Sequence, residues 1–179
     1  NVIPTGANTL ELKYSGTTAG IGVGLFYEGG TGANLLNTLN VKLVDTVGTT
    51  EGLVGVYTDG GGKLTNNGKI TGDKGYGIIS GGTEIENTSD ITLTNSLTAS
   101  KPSVGIKAGD KITNTGTITM GTNSVGIFGK EVLQKGTITV GNGGTGIYSE
   151  GGNVTLDTTS KIITGSNKAV GVFTKGAGQ

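Results

Sequence analysis

The sequence has no cysteine, histidine, arginine or tryptophan, and only two prolines. Without cysteine there are no disulfides, no thiol nucleophile and no thiolate metal site. Without histidine, the side chain that titrates near neutrality and the commonest zinc ligand are both missing. Thirteen lysines balance thirteen acidic residues, and neither sign forms a run. The basic stripe that binding to nucleic acid requires is therefore absent, and no nucleic-acid partner is expected. Apolar residues make up 32% and aromatics 4%, which is thin for a sandwich that must fill the space between two opposed sheets. No run of about 18 apolar residues could cross a bilayer as a helix. The opening NVIPTGANTLELKYSG lacks the basic and apolar regions of a secretory signal. The lack of disulfides leaves the compartment open, since a chain exported unfolded also does without them.

What the chain has is glycine, 37 residues of it, and a sentence repeated. SVGIKAGDKITNTGTITMGTN is followed by SVGIFGKEVLQKGTITVGNG, and GTGIYSE begins it again. A Gly-aliphatic pair recurs at Gly24-Leu25, Gly55-Val56, Gly77-Ile78, Gly105-Ile106, Gly126-Ile127, Gly146-Ile147 and Gly171-Val172, spaced 31, 22, 28, 21, 20 and 25 residues apart. Short β-prone runs at a period near 20 residues are the mark of a solenoid. Such a fold is one side chain deep on each wall and can be built with few large apolar residues.

Between successive glycines an aliphatic residue is followed six positions later by another: Leu35/Val41, Leu64/Ile70, Ile85/Ile91, Ile112/Ile118, Val132/Ile138 and Leu156/Ile162. Two residues after the first member comes a polar column, Asn37, Asn66, Asn87, Asn114, then Gln134 and Thr158. The expected fold is all-β: a right-handed parallel β-helix of about seven coils, three short strands per coil, with variable loops, and residues 1–179 forming one solenoid segment. Variable coil lengths favour the right-handed form over the left-handed one with its strict hexapeptide rhythm. By strand alternation Val104 and Ile106 face inward while Gly105 and Lys107 face outward. The asparagines either form an inward ladder that satisfies the backbone at a bend, which is favoured, or serve as ordinary turn residues.

Gly29 to Asn37 resembles one calcium-binding nonapeptide, but it occurs once, with Asn34 where a carboxylate belongs. No metal or cofactor is expected. Glu84 and Glu86 share a strand face, with Asp90 and Asp110 nearby in sequence, yet they alternate with Ile85 as solvated residues do. No catalytic residues are assigned, and the segment is not expected to be an enzyme. The residue after each Gly-aliphatic pair forms an outward column that includes Phe26, Tyr57, Phe128, Tyr148 and Phe173. This column is either a self-stacking stripe, which is favoured, or a binding surface. The longest insertions, Val44 to Leu53 and Thr94 to Pro102, leave the third strand at one corner, two coils apart. They would flank a shallow groove over Gly72 to Gly75, with Asp45, Thr46, Thr49, Glu51, Asn95, Ser96, Ser100 and Lys101 as ligand-facing residues. Deleting Thr94 to Ser100 is expected to leave the fold intact.

The units VGIFGK…KGTITVGNGGTGIYSEGGNVT and YGIISGGTEIENTSDITLTN resemble the passenger repeats of type V autotransporters, most closely the large fusobacterial outer-membrane adhesins. The likeness covers nearly the whole chain from about Gly24. It implies an internal fragment of an extracellular stalk on the cell surface. In the whole protein the stalk would be anchored in the outer membrane by a C-terminal β-barrel that lies outside this sequence. The implied partners are glycans or proteins on host or bacterial surfaces, and the fragment is expected to be monomeric. The competing expectation is part of a carbohydrate-processing β-helix such as a tail-spike or lyase.

Overall fold

The computed structural model describes residues 8–15, 20–46 and 52–176. Thr49 and Glu51 lie outside the described residues. Among those described there are eighteen strands and no helix, as expected of short Val, Ile and Thr runs broken by glycine.

Strand β1 (Thr9–Tyr14) is the last strand of one coil. The next coil holds β2 (Gly22–Glu28), β3 (Asn34–Asn37) and β4 (Asn40–Asp45), and the one after it β5 (Leu53–Asp59), β6 (Lys63–Asn66) and β7 (Ile70–Gly72). The third holds β8 (Tyr76–Ser80), β9 (Glu84–Asn87) and β10 (Ile91–Leu93). In the fourth and fifth coils the first two strands are continuous, as β11 (Val104–Asn114) with β12 (Thr117–Met120), and β13 (Val125–Gln134) with β14 (Thr137–Val140). The sixth holds β15 (Thr145–Glu150), β16 (Val154–Leu156) and β17 (Lys161–Thr164), and β18 (Val170–Lys175) opens a seventh.

Every pairing is parallel and joins equivalent strands of successive coils. One seven-stranded sheet runs β1-β4-β7-β10-β12-β14-β17, and an eleven-stranded sheet carries the first and second strands. The chain is a parallel β-helix. Its core is a set of files: Val56, Ile78, Ile106, Ile127 and Ile147 from the first strands, Leu64, Ile85, Ile112 and Val132 from the second, and Val41, Ile70, Ile91, Ile118 and Ile138 from the third, all buried. Each such side chain removed from water contributes about 1.5 to 3 kcal/mol.

Three details differ from the sequence reading. First, the glycine column does not face outward. A Cβ on Gly55, Gly105 or Gly146 would stand 2.8 to 2.9 Å from Cγ2 of Ile70, Ile118 or Ile162 on the opposite sheet. The first strand thus passes too close to the third for any side chain at the glycine, while the register runs on unbroken from Val104↔Val125 to Ile106↔Ile127. Simple alternation fails there.

Second, the sixth coil pairs Val132 with Val154 and Gln134 with Leu156, so Val154, not Leu156, continues the inner file. Leu156 is half exposed, and Thr158 sits beyond the column in a turn where its hydroxyl reaches Asp157. Third, three separate strands per coil do not hold throughout, and the difference lies at the column after the aromatic position, which carries Tyr27, Thr58, Ser80 and Ser149 where the strands are separate. Ser80 bends the chain by bonding the carbonyl and amide of Thr83, and the Ser149 hydroxyl bonds the carbonyl of Gly152. In β11 and β13 that column is Ala108 and Gly129, and the strand runs on.

The asparagines form the inward ladder. Asn37, Asn66, Asn87 and Asn114 are fully buried, and each Nδ2 donates to the amide oxygen of the next, at 2.6, 2.8 and 2.8 Å, ending on Oε1 of Gln134 at 3.1 Å. Each Nδ2 also donates to the carbonyl two residues on, those of Leu39, Gly68, Ser89 and Gly116. At the first rung Tyr27 donates its hydroxyl to Asn37, and burial raises its pKa. The ladder stops at Gln134, whose Nε2 finds no protein partner, because the next coil offers Leu156.

Candidate functional site

The outward column is in register from Phe26 through Tyr57, Ile79, Lys107, Phe128 and Tyr148 to Phe173. Its rings lie on one another: Phe26 on Tyr57 at 5.7 Å, Phe128 on Tyr148 at 5.0 Å, and Tyr148 on Phe173 at 5.0 Å, all stacked. Ile79 and Lys107 divide the column into two files, and the Lys107 ammonium stands 5.5 Å above the Phe128 ring. Within each file the ring faces turned to one another are thus occupied.

The ligand-facing residues assigned to the insertions are dispersed. The Asp45 side chain is only 2% exposed, and its carboxylate lies 3.6 Å from Nζ of Lys74, so it is a structural ion pair and not a ligand contact. The hydroxyl of Thr46 donates to the carbonyl of Tyr14 at 2.9 Å. Asn95 and Thr94 both donate to the Asp73 carboxylate of the coil before. Ser96 is half-buried, while Ser100 is exposed and its amide turns back to the Thr98 hydroxyl. The insertion is also anchored by Leu97, 4% exposed, which packs over Gly52 beside the Tyr76 ring. The two insertions therefore meet, at Leu97 and Gly52. A shallow hollow of about 420 Å³ does lie at this corner, bounded by Asp45 and Asp73 with Gly72 beneath and Thr94 beyond.

Around the corner, on the first-strand face, is a hollow the sequence reading did not foresee. Its volume is about 440 Å³, and its walls are Val23, Phe26, Val54, Tyr57, Tyr76 and Ile79. Val23, Val54 and Tyr76 precede the glycine column, in the same file as Val104, which simple alternation places inward. They stand in one file, Val23↔Val54↔Tyr76, next to the inward glycines, and line this hollow beside the aromatic column. Ile21 also lines it, and among the described residues Lys101 of the insertion and Lys107 are the charged members of the lining. Val23, Phe26 and Ile21 are 41%, 60% and 66% exposed. The signal that could have found this hollow is the alternation of two apolar columns around an inward glycine.

The carboxylates weighed for acid–base chemistry are apart from it. The Glu86 carboxylate is 2.7 Å from Nζ of Lys63 and 3.4 Å from the Thr65 hydroxyl. The Lys63 hydrogen bond holds it below the usual carboxylate range, which suits a fixed anion and not a proton donor. Asp90 pairs with Lys69 at 3.0 Å. Glu84 and Asp110 line a third, polar hollow of about 670 Å³, where Glu131, Lys111 and Lys130 mix the charges. Asn34 of the calcium-like stretch is exposed at the start of β3, where it pairs in register with Lys63. Among the described residues no three His, Cys, Asp or Glu converge as metal ligands would.

Set beside known proteins, the chain matches no family model, no curated protein and no solved structure.

Proposed function

We propose that this chain is a stalk segment of an adhesive passenger at a bacterial cell surface, with its partner surface gathered on one side of the first four coils. The observation that carries the reading is the division of labour in the coil. Inward positions are committed to self-stacking, through the aliphatic files and the asparagine ladder. The two longest insertions and the apolar hollow converge at one corner and its adjoining face. A repeat frame that carries stability while an edge carries recognition is how solenoids are used for binding. The resemblance of the repeats to autotransporter adhesins supports the same reading and supplies the extracellular setting.

The test is binding of the purified chain to cultured host cells, to other bacteria and to arrayed glycans and surface proteins. Saturable retention without release of product is the expected result. Turnover of a soluble glycan would replace the adhesive reading with that of a carbohydrate-processing β-helix, and a folded chain that binds none of these surfaces would be a spacer.

A further inference from the structure

The corner where the first strand turns into the second carries a hollow, on the third to sixth coils, that the adhesive reading leaves unused. Its volume is about 670 Å³, and Glu84, Asp110, Lys111, Lys130 and Glu131 stand in its walls with glycine backbone between them. A β-bulge shapes it. Ala108 pairs with Gly129 and Lys111 with Glu131, so Gly109 and Asp110 together oppose the single residue Lys130, and all three border the hollow. Bulges of this kind re-aim a side chain out of the regular ladder. A Cβ on Gly109 or Gly151 would meet nothing within 4 Å, so open space stands before the main chain there.

Beside the bulge, Lys111 is in register with Glu131. Glu84 and Asn153 stand one residue before Ile85 and Val154, the partners of Ile112 and Val132. Successive second strands therefore present acid, base, acid and amide in one file, about 4.8 Å apart. Among the described residues, the side chains of Glu84, Asp110, Lys111, Lys130 and Glu131 make no hydrogen bond or ion pair, whereas Lys63, Glu86, Lys69 and Asp90 are paired. Outside the described residues the chain has one charged side chain, Glu51, in the insertion before β5.

A carboxylate only accepts and an ammonium only donates, so the unpaired file matches a ligand that does both at close intervals. Sugar hydroxyls do: each donates one hydrogen and offers two lone pairs, and bonds of this kind to a charged group are about twice as strong as neutral ones. A polyanion would meet Glu84, Asp110 and Glu131, and a polycation would meet Lys111 and Lys130. A protein anchor residue needs an apolar or aromatic seat, and among the described residues the lining has no aliphatic or aromatic side chain.

We infer that this hollow binds a neutral glycan, whose hydroxyls donate to Glu84, Asp110 and Glu131 and accept from Lys111 and Lys130, with a sugar ring seated over Gly109. It is a second binding surface, separate from the insertions and the apolar hollow.

The experiment is binding of the full chain to an array of neutral, sialylated and sulfated oligosaccharides, followed by titration of the best neutral one in solution. Three variants run in parallel, each first shown to unfold as cooperatively as wild type. Gly109→Phe fills the hollow without altering its charges, Asp110→Ala/Glu131→Ala removes two acceptors, and Val23→Ser/Phe26→Ser alters only the apolar hollow. Expected is retention of neutral glycans with little dependence on salt, about tenfold weaker on each of the first two variants and unchanged on the third. No retention of neutral glycans, or retention confined to sialylated or sulfated ones and lost with salt, would overturn the inference. So would equal binding by wild type, Gly109→Phe and Asp110→Ala/Glu131→Ala, or loss on Val23→Ser/Phe26→Ser. Failure of the adhesive reading is read separately, because a chain that binds neutral glycans in solution but no cell surface would overturn that reading and leave this one standing.

Discussion

Gly126 faces Ile138 across the interior: a Cβ placed on Gly126 would stand 2.7 Å from Cγ2 of Ile138 and 2.5 Å from the carbonyl oxygen of Gly146. The same relation recurs along the column, so the glycines set how closely the first and third strands approach. Gly126→Ala must push either the isoleucine file or the neighbouring coil, and overpacking of this kind costs about 1 to 3 kcal/mol. Gly82→Ala is the control, because a Cβ there meets nothing within 4 Å and the backbone is not left-handed. Urea unfolding should show the first variant destabilised and the second unchanged or slightly more stable. Equal stabilities would show that the coil relaxes around a methyl group at Gly126.

The ladder gives a second test. Asn114 accepts from Asn87 at 2.8 Å and donates to Gln134 at 3.1 Å and to the carbonyl of Gly116 at 3.2 Å, all inside the coil. Asn114→Ala strands part of that network out of reach of water, and the expected cost is about 1 to 3 kcal/mol. Because Asn87 shares the bond, the double variant Asn87→Ala/Asn114→Ala should lose less than the sum of the single losses. Strict additivity in denaturant unfolding would mean that the rungs act independently.

The insertion between β10 and β11 supplies a third. Leu97 is buried against Gly52 and the Tyr76 ring, so the segment, which is loop as expected, also lends the fold an apolar anchor. Leu97→Ala should cost about 2 kcal/mol, the lower end for a buried leucine because the site is near the surface. Ser100→Ala, exposed at the same loop, should change stability by less than about 0.5 kcal/mol. Limited proteolysis should cut the Leu97→Ala loop faster than that of wild type, and unchanged cleavage and stability would remove Leu97 from the core.

The architecture was legible because the solenoid writes its cross-section into the sequence once per coil. Ile112, Ile118 and Asn114 recur as a unit, and each recurrence is one strand spacing further along the axis. What the repeat could not reveal was anything that depends on one coil meeting another at an irregular point. Gly105 was assigned outward because alternation was applied through it, whereas it lies inward in close approach to Ile118, and the file before the glycines lines the apolar hollow. Leu156 was aligned by its six-residue spacing to Ile162, but the pairing of Val132 with Val154 uses a spacing of eight. Leu97 carries no pattern at all, since it is a single apolar residue in an insertion, and its burial is a property of the fold. The candidate site was therefore less legible than the frame.

Acidity gives the last test. Glu86 accepts from Nζ of Lys63 at 2.7 Å, and this bond lowers its pKa from the ordinary 4.5 in the folded chain. The unfolded chain thus takes up the proton first as pH falls. The pair's stabilisation is fully present above the ordinary value and disappears as pH drops through the lowered folded one. Both partners are partly exposed, with side-chain accessibilities of 43% for Lys63 and 33% for Glu86, so solvent screening limits the effect to roughly 0 to 1 kcal/mol. Wild type should exceed Glu86→Gln in stability by up to about that amount at pH 7, with the gap narrowing below pH 4.5. In a Lys63→Met background the gap should be reduced at every pH, because the first cause of the shift is gone. A gap of constant size from pH 7 downward would assign the difference to packing of the carboxyl group against Thr65, and the Lys63 bond would then carry no stability.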